Sequence, residues 1–277
     1  MAHWVLKVGN LRASMAFFSE VLGLRVLRHE EFSSGCEATC NGPYGGAWSK
    51  TMVGFGREDD NFVLELTYNY GIDSYARGND VLHIALACPA ALARATALGC
   101  PVDGDCVLSP DGYRFKILPQ RSCQEQWVHV ALRVADISAA SQYYAEVLGL
   151  GIEGGPESSE ALSVLVRFGE GEGQVGLLLV QSPPGVAVDH GLASGRVAFA
   201  CPTPSVPAIY DMVTAAGGIV QTPPLTLPTP GKADVVVTIL VDRDGYEICF
   251  VEDTAFFALA APCWDVIDWE ERYRDTE

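Results

Sequence analysis

An internal repeat constrains the fold of this chain more than any other feature. Phe17-Phe18-Ser19-Glu20-Val21-Leu22-Gly23-Leu24 returns as Tyr143-Tyr144-Ala145-Glu146-Val147-Leu148-Gly149-Leu150, 126 residues later. His3 and Lys7 return at the same offset as His129 and Arg133. Asp111-Gly112-Tyr113 returns as Asp244-Gly245-Tyr246, so about seven residues were inserted between the two landmarks. The copies run over 3–120 and 127–252 with a linker at 119–126. This divides the 277 residues into an N-terminal domain at 1–120, a C-terminal domain at 127–257 and an acidic tail at 258–277, in keeping with two domains expected from length.

Each copy divides again. Residues 3–9 alternate as a strand, Asn10 is placed to cap a helix, and Leu11, Met15, Phe18 and Leu22 recur at helical spacing before Gly23 ends it. Strands follow at 24–32, 49–56 and 62–68, with a long Gly- and Pro-containing loop at 33–48. A second unit opens at 81–87 and continues through a helix at 89–99. The third and fourth carry helices at 136–148 and 204–216. The expected architecture is α+β, with four βαβββ modules whose curved sheets pair side by side into cups.

Composition excludes several partners. Eighteen Lys+Arg against 35 Asp+Glu leave a net charge of −17, which disfavours nucleic acid and anionic lipid as binding partners. No apolar run reaches the roughly 20 residues that span a bilayer. The N-terminus enters strand-like sequence at once, so a cytoplasmic protein is expected, with the mitochondrion as the alternative. Nine cysteines without a CxxC spacing predict reduced, packed thiols such as Cys88, Cys201 and Cys249 rather than a zinc or disulfide framework. No Gly-x-Ser-x-Gly elbow, P-loop or strand-following GxGxxG is present, which removes support for hydrolase, NTPase and dinucleotide chemistry.

Histidine placement carries the functional signal. His3, His83 and His129 each open the first strand of a module. Alternation puts His3, Val5 and Lys7 on one face, and Glu65, Thr67 and Asn69 on one face of the last strand of that module. A His and a Glu on facing strands suit a metal site beside a polar ligand site, although a strand His is more often a structural hydrogen-bonding residue.

Glu65-Leu66-Thr67-Tyr68-Asn69-Tyr70-Gly71-Ile72-Asp73-Ser74-Tyr75, with His83-Ile84-Ala85-Leu86 and Asp111-Gly112-Tyr113, resembles the glyoxalase I branch of the vicinal oxygen chelate superfamily. Arg28-His29-Glu30-Glu31-Phe32, Cys40-Asn41-Gly42-Pro43-Tyr44 and the run from Trp48 to Gly56 extend the resemblance to tandem-domain members over residues 3–257. It implies four ligands per cup, one from the first and one from the last strand of each module. Those positions hold His3, His83, His129 and Arg196, and Glu65, Lys116, Leu178 (or its neighbour Leu179) and Cys249. No pairing assembles an intact His/His/Glu/Glu or Gln set.

Two pairings are open. Modules paired in order would bring His3, Glu65 and His83 together beside Lys116, a two-His, one-carboxylate set suited to Zn, Ni, Fe or Mn, in which the ammonium opposes the dication by several kcal/mol. Modules paired across the duplication would join His3 and Glu65 to Arg196 and Cys249, with Arg196 expected to ion-pair with Glu65 in the metal's place. His83, Lys116, His129 and Leu178 would then meet in the second cup. The second arrangement is favoured, because it gives Arg196 and Lys116 chemical roles.

The resemblance further implies ligand contacts from Lys7 and Asn69, where glyoxalase I enzymes hold glutathione, and from Lys232 in a ligand-contacting loop. The glycine-rich stretch 42–46 is placed to cover a cup. The expected function is binding of a small molecule, such as a glutathione-like ligand, or of a protein partner, without conventional glyoxalase I activity. The alternative is a metal-dependent lyase, isomerase or dioxygenase with Glu65 as the catalytic carboxylate and His3, Glu65 and His83 as metal ligands. A monomer or a homodimer fits, since four modules can close both cups. The end of the chain from Asp265 can form an amphipathic helix that docks on the body.

Overall fold

In the computed structural model residues 1–119, 125–154, 162–169, 174–229 and 233–260 are described. Among the described residues sixteen strands and five α-helices, two of them continued by π-helical turns, follow the modular order. The first module contributes β1 (His3–Lys7), β2 (Arg25–Phe32), β3 (Trp48–Gly54) and β4 (Val63–Asn69). The second contributes β5 (Val81–Ala87), β6 (Val102–Asp103), β7 (Cys106–Leu108) and β8 (Arg114–Ile117). The third holds β9 (Gln126–Val134), β10 (Gly151–Gly154), β11 (Ser163–Arg167) and β12 (Gly176–Gln181). The fourth holds β13 (Arg196–Cys201), β14 (Ile219–Leu227), β15 (Val235–Val241) and β16 (Glu247–Glu252). After the first strand of each module come α1 (Leu11–Ala16), α2 (Ala90–Ala97), α3 (Ile137–Gln142) and α4 (Ser205–Ala215), and α5 (Asp253–Ala260) follows β16.

The local signals act as expected. Asn10 accepts the Ala13 N–H and Asp136 accepts those of Ser138 and Ala139, so both module-opening helices have side-chain caps. Both continue as a π-helical turn, Phe17–Val21 and Tyr143–Val147, where the sequence predicts uninterrupted α-helix. The Leu22 N–H reaches back to Phe17 O, and this wider turn leaves both Phe17 and Phe18 in the core.

The modules pair across the duplication. One sheet runs β14-β15-β16-β13-β1-β4-β3-β2 and the other β10-β11-β12-β9-β5-β8-β7-β6. Each sheet therefore takes one module from each repeat, and the seams are the antiparallel pairs β1 with β13 and β5 with β9. One face of each strand enters a common core, with Trp4, Leu6, Ile84, Leu86, Val130 and Leu132 among its members. The opposite face forms the concave cup.

The repeated Asp-Gly-Tyr tripeptides tie the two sheets together. Asp111 accepts the Gly9 N–H at 2.8 Å and the Ser14 hydroxyl at 3.0 Å, linking the second module to the first. Asp244 accepts the Ala135 N–H at 2.9 Å, linking the fourth to the third. The Tyr113 hydroxyl lies 2.9 Å from Lys7 O and 3.2 Å from Ala193 O, and the Tyr246 hydroxyl 2.7 Å from Arg133 O and 3.0 Å from Asp80 O. Asp111→Ala leaves the Gly9 N–H without its partner and is expected to cost about 1–3 kcal/mol. Denaturant unfolding checks this, with Asp211→Ala on the exposed face of α4 as a control that shifts the midpoint little.

Candidate functional site

Strand register fixes which residues meet in the first cup. Glu65 lies opposite Val5, two residues beyond His3, and Cys249 lies opposite Ala198, two beyond Arg196. His3 in turn pairs with Ala198 across the seam. His3, Glu65, Arg196 and Cys249 therefore share one concave face, and all four line a cavity of about 1090 Å³. His83 is not with them. It sits in the other sheet, its Nε2 3.1 Å from the Nε2 of His129. The same register settles the last-strand positions there, placing Lys116 opposite Ala85 and Leu178 opposite Ala131.

His3 and Glu65 are both buried, with Nε2 3.5 Å from the carboxylate. Burial holds the His3 imidazolium down to about 3, with Lys50, Arg28 and Arg196 adding to this and Glu58 opposing it. Burial also pushes the Glu65 carboxyl above the usual carboxylate range, opposed by Lys50, Arg28 and Arg196. Glu65 makes a long contact of 3.4 Å with the Thr67 hydroxyl, and His3 Nδ1 is buried without a protein partner.

Arg196 corrects an expectation. Its guanidinium pairs with Glu247 and donates to the carbonyls of Ala38 at 3.0 Å and Thr39 at 2.9 Å, rather than pairing with Glu65. Glu247 lies directly opposite Arg196 on the neighbouring parallel strand, so the shortest reach to a carboxylate is sideways. The two carbonyls come from the 33–47 loop of the first module, which arches over the cup and buries Ala38 against the fourth module's wall. Within this loop Cys36 and Cys40 form a disulfide, a departure from the all-thiol expectation that follows from a turn bringing their Cα atoms to 5.4 Å. Cys88, Cys201 and Cys249 are free thiols, and burial raises Cys249 to about 12.

The expected ligand-contacting residues are engaged within the chain. Asn69 donates to Asn41 O and to the Tyr75 hydroxyl, and its side-chain carbonyl accepts from the Asn41 amide at 2.8 Å. Lys7 donates to Leu192 O at 3.1 Å, and burial lowers its pKa. Gly42, at φ +87°, passes so close that a Cβ there would lie 3.1 Å from Lys7 Nζ. Lys232 and the tail beyond residue 260 lie outside the described residues.

The sequence did not single out a charge cluster on the same face. Arg28 pairs with Glu58 and Glu30, and Lys50 lies 3.2 Å from Glu30. Phe32 and Trp48 stack beside them at 4.2 Å, and Phe256 of α5 packs 5.7 Å from the His3 ring. Two-residue spacing was the available signal, since Arg28, Glu30 and Phe32 share a face of β2, and Trp48 and Lys50 a face of β3.

Known proteins share this modular fold. The model of the Glyoxalase/Bleomycin resistance protein/Dioxygenase superfamily matches residues 1–117, and the C-terminal domain model of glyoxalase domain-containing protein 4-like proteins matches residues 136–259. Glyoxalase domain-containing protein 4 of Rattus norvegicus is 44% identical over 264 residues, 93% of this chain and 87% of that protein. The chain belongs to the glyoxalase superfamily, in the branch of glyoxalase domain-containing protein 4. A Caenorhabditis elegans member named Glyoxalase 1 is 41% identical over 93% of this chain and 90% of its own length. A glyoxalase I variant from Zea mays superimposes with a TM-score of 0.76 at 25% identity, over 93% of this chain and 95% of that one.

A divalent metal, which glyoxalase kinship implies, does not fit these residues. Of the four ligand positions, two supply ordinary donors, one is a guanidinium tied in place and one is a thiol held protonated. Among the described residues no group of three His, Cys, Asp or Glu side chains is placed to hold a metal ion.

Two predictions follow from these contacts. Arg196→Met removes the donors of two loop carbonyls and the partner of Glu247, and is expected to cost about 2 kcal/mol and to speed proteolysis within 33–47. Denaturant unfolding and limited proteolysis measure both. In the second cup, burial lowers His83 to about 4 and His129 to about 3, while the unfolded chain takes up protons near 6.5. A depressed histidine stabilises above the unfolded value and loses that contribution as pH falls toward the folded one. His129→Gln is therefore expected to shrink the stability loss between pH 7 and pH 5 by about 1–2 kcal/mol. The difference from wild type isolates this from Asp242, raised to about 6 by burial, whose contribution runs the opposite way.

Proposed function

We propose that this chain is a metal-independent, small-molecule-binding member of the glyoxalase superfamily whose ligand occupies the first cup, and that it lacks conventional glyoxalase I activity. The observation that carries this is the guanidinium of Arg196 at a ligand position, fastened to Glu247 and to two loop carbonyls. An always-charged group held there excludes a dication by repulsion and cannot be removed by deprotonation. Without a Lewis acid, a developing enediolate has no comparable charge stabiliser. Glu65 remains as the buried carboxylate facing the cavity, and its role is to accept a hydrogen bond or a proton from what binds there.

The chemistry of the cup also disfavours a glutathione-like ligand, because the polar groups of Lys7 and Asn69 are already bonded within the chain. No helix of the described residues is long and apolar enough to cross a membrane, and the proposed site is the cytoplasm. The second reading, a metal-dependent lyase, rests on kinship with proteins named glyoxalase 1 and lactoylglutathione lyase.

Elemental analysis of protein purified without chelators separates the two. Substoichiometric Zn, Ni, Fe and Mn, and no turnover of a glutathione hemithioacetal after each metal is added, are the expected results. Stoichiometric metal that disappears in His3→Ala or Glu65→Ala, or turnover in the ordinary enzymatic range of about 1–1000 per second, overturns the proposal.

A further inference from the structure

The first cup has two unlike walls. The fourth module's wall is apolar, with Val235, Val237, Ile239 and Val251 on the concave face of β15 and β16, and Phe256 and Leu259 of α5 above them. The first module's wall carries Lys50, Arg28 and Glu65 with His3, edged by the stacked rings of Phe32 and Trp48. At about 1090 Å³ the cavity between them is just above the range of about 300–1,000 Å³ typical of small-molecule sites.

The cations on the polar wall are matched inside the protein. Arg28 and Lys50 face Glu30 and Glu58, and Arg196 faces Glu247. Glu65 is left facing the field of those same three cations. An entering ammonium would be opposed by Lys50, Arg28 and Arg196. An entering carboxylate would be opposed by Glu65 and would meet cations already paired. A carboxylate would be buried without a counter-ion of its own, and an ammonium would find only Glu65, which already stands in the field of the three cations, so either charge carries a desolvation cost of several kcal/mol. A neutral polar group meets neither penalty. Lys50 has N–H donors beyond the one directed at Glu30, Glu65 is an acceptor, and the buried Nδ1 of His3 has no protein partner.

We infer that the ligand of the first cup is an uncharged lipophile, an extended apolar chain or ring system with one neutral hydrogen-bonding head such as a ketone or alcohol. This rests on the metal-independent binding function proposed above and names its ligand class. The apolar body lies on Val237, Ile239 and Val251 under α5, and the head lies between Lys50 and Glu65. Burial of apolar area provides most of the affinity, and charge matching on the polar wall provides the selectivity.

The test uses the full chain, chelator-treated, titrated with 2-decanone, decanoate and decylamine, which share chain length and differ in head charge. Calorimetry reports binding, together with the change in tryptophan fluorescence to which Trp48 in the cavity wall contributes. The expected result is a dissociation constant for 2-decanone at least tenfold below those of both charged compounds. Val237→Asp is expected to weaken 2-decanone at least tenfold, and the near-isosteric Val237→Thr, which keeps the fold if the aspartate variant does not, about threefold. Equal or tighter binding of decanoate or decylamine overturns the inference. So does failure of 2-decanone to bind, or unchanged affinity in folded Val237→Thr. Hemithioacetal turnover by metal-loaded protein would defeat the metal-independent function itself. A metal-free, inactive protein that ignores 2-decanone would defeat only the ligand class.

Discussion

Everything at the candidate site depends on which modules share a sheet. A four-stranded module presents a concave face with one polar flank, and it becomes a cup only when another module closes the far side. Joining β1 to β13 and β5 to β9 places His3 and Glu65 opposite Arg196 and Cys249, and sends His83 to face His129. The seam between β1 and β13 is short, with His3 against Ala198 and Trp4 against Val197, so the backbone ladder alone gives it little support. The remainder comes from the common core beneath both sheets and from the Asp-Gly-Tyr ties, each of which carries a side-chain acceptor to the loop after the first strand of another module.

The local architecture was legible in the sequence because it rests on short-range signals. Alternation gave the shared face of His3, Val5 and Lys7, Asn10 and Asp136 cap the helices they precede, and the 126-residue repeat gave the four modules. Pairing across the duplication was one of two open arrangements, since the strand pattern is the same in both and the difference lies in contacts more than 100 residues apart. It was preferred on chemical grounds, because cations at ligand positions needed partners. The partner itself was not legible. Arg196 has Glu247 directly opposite on the adjacent strand and Glu65 two strands away, and its guanidinium is held further by loop carbonyls whose position no periodicity encodes.

Loop 33–47 explains why the expected ligand contacts are closed off. It is long enough to cross from β2 to the fourth module's wall, where Ala38 is buried, and its anchors are the groups the family resemblance assigned to a ligand. Asn41 occupies Asn69, Gly42 packs on the Lys7 stem, and the Ala38 and Thr39 carbonyls occupy Arg196. This one loop thus satisfies polar groups of Asn69 and Arg196, while Lys7, packed against Gly42, bonds to Leu192 O. The physical effect is to turn a site that needs a charged occupant into one whose charges are settled before anything binds.

The second cup shows the same tendency by another route. Its first-strand histidines are kept neutral by burial and face each other, while Lys116, the residue in register with Glu65, turns to Asp105 at 3.4 Å. Leu178 supplies no polar atom at the fourth position. The positions that the family resemblance assigns to ligands therefore hold different groups in the two cups: a tied guanidinium beside a large cavity in one, and a neutral imidazole pair in the other. Arg196 and Arg28 in the first cup are each held by carboxylate partners. Their neutralisation by Glu247, Glu30 and Glu58 is costly to assemble in a buried wall, and it sits where the first cup keeps its cavity.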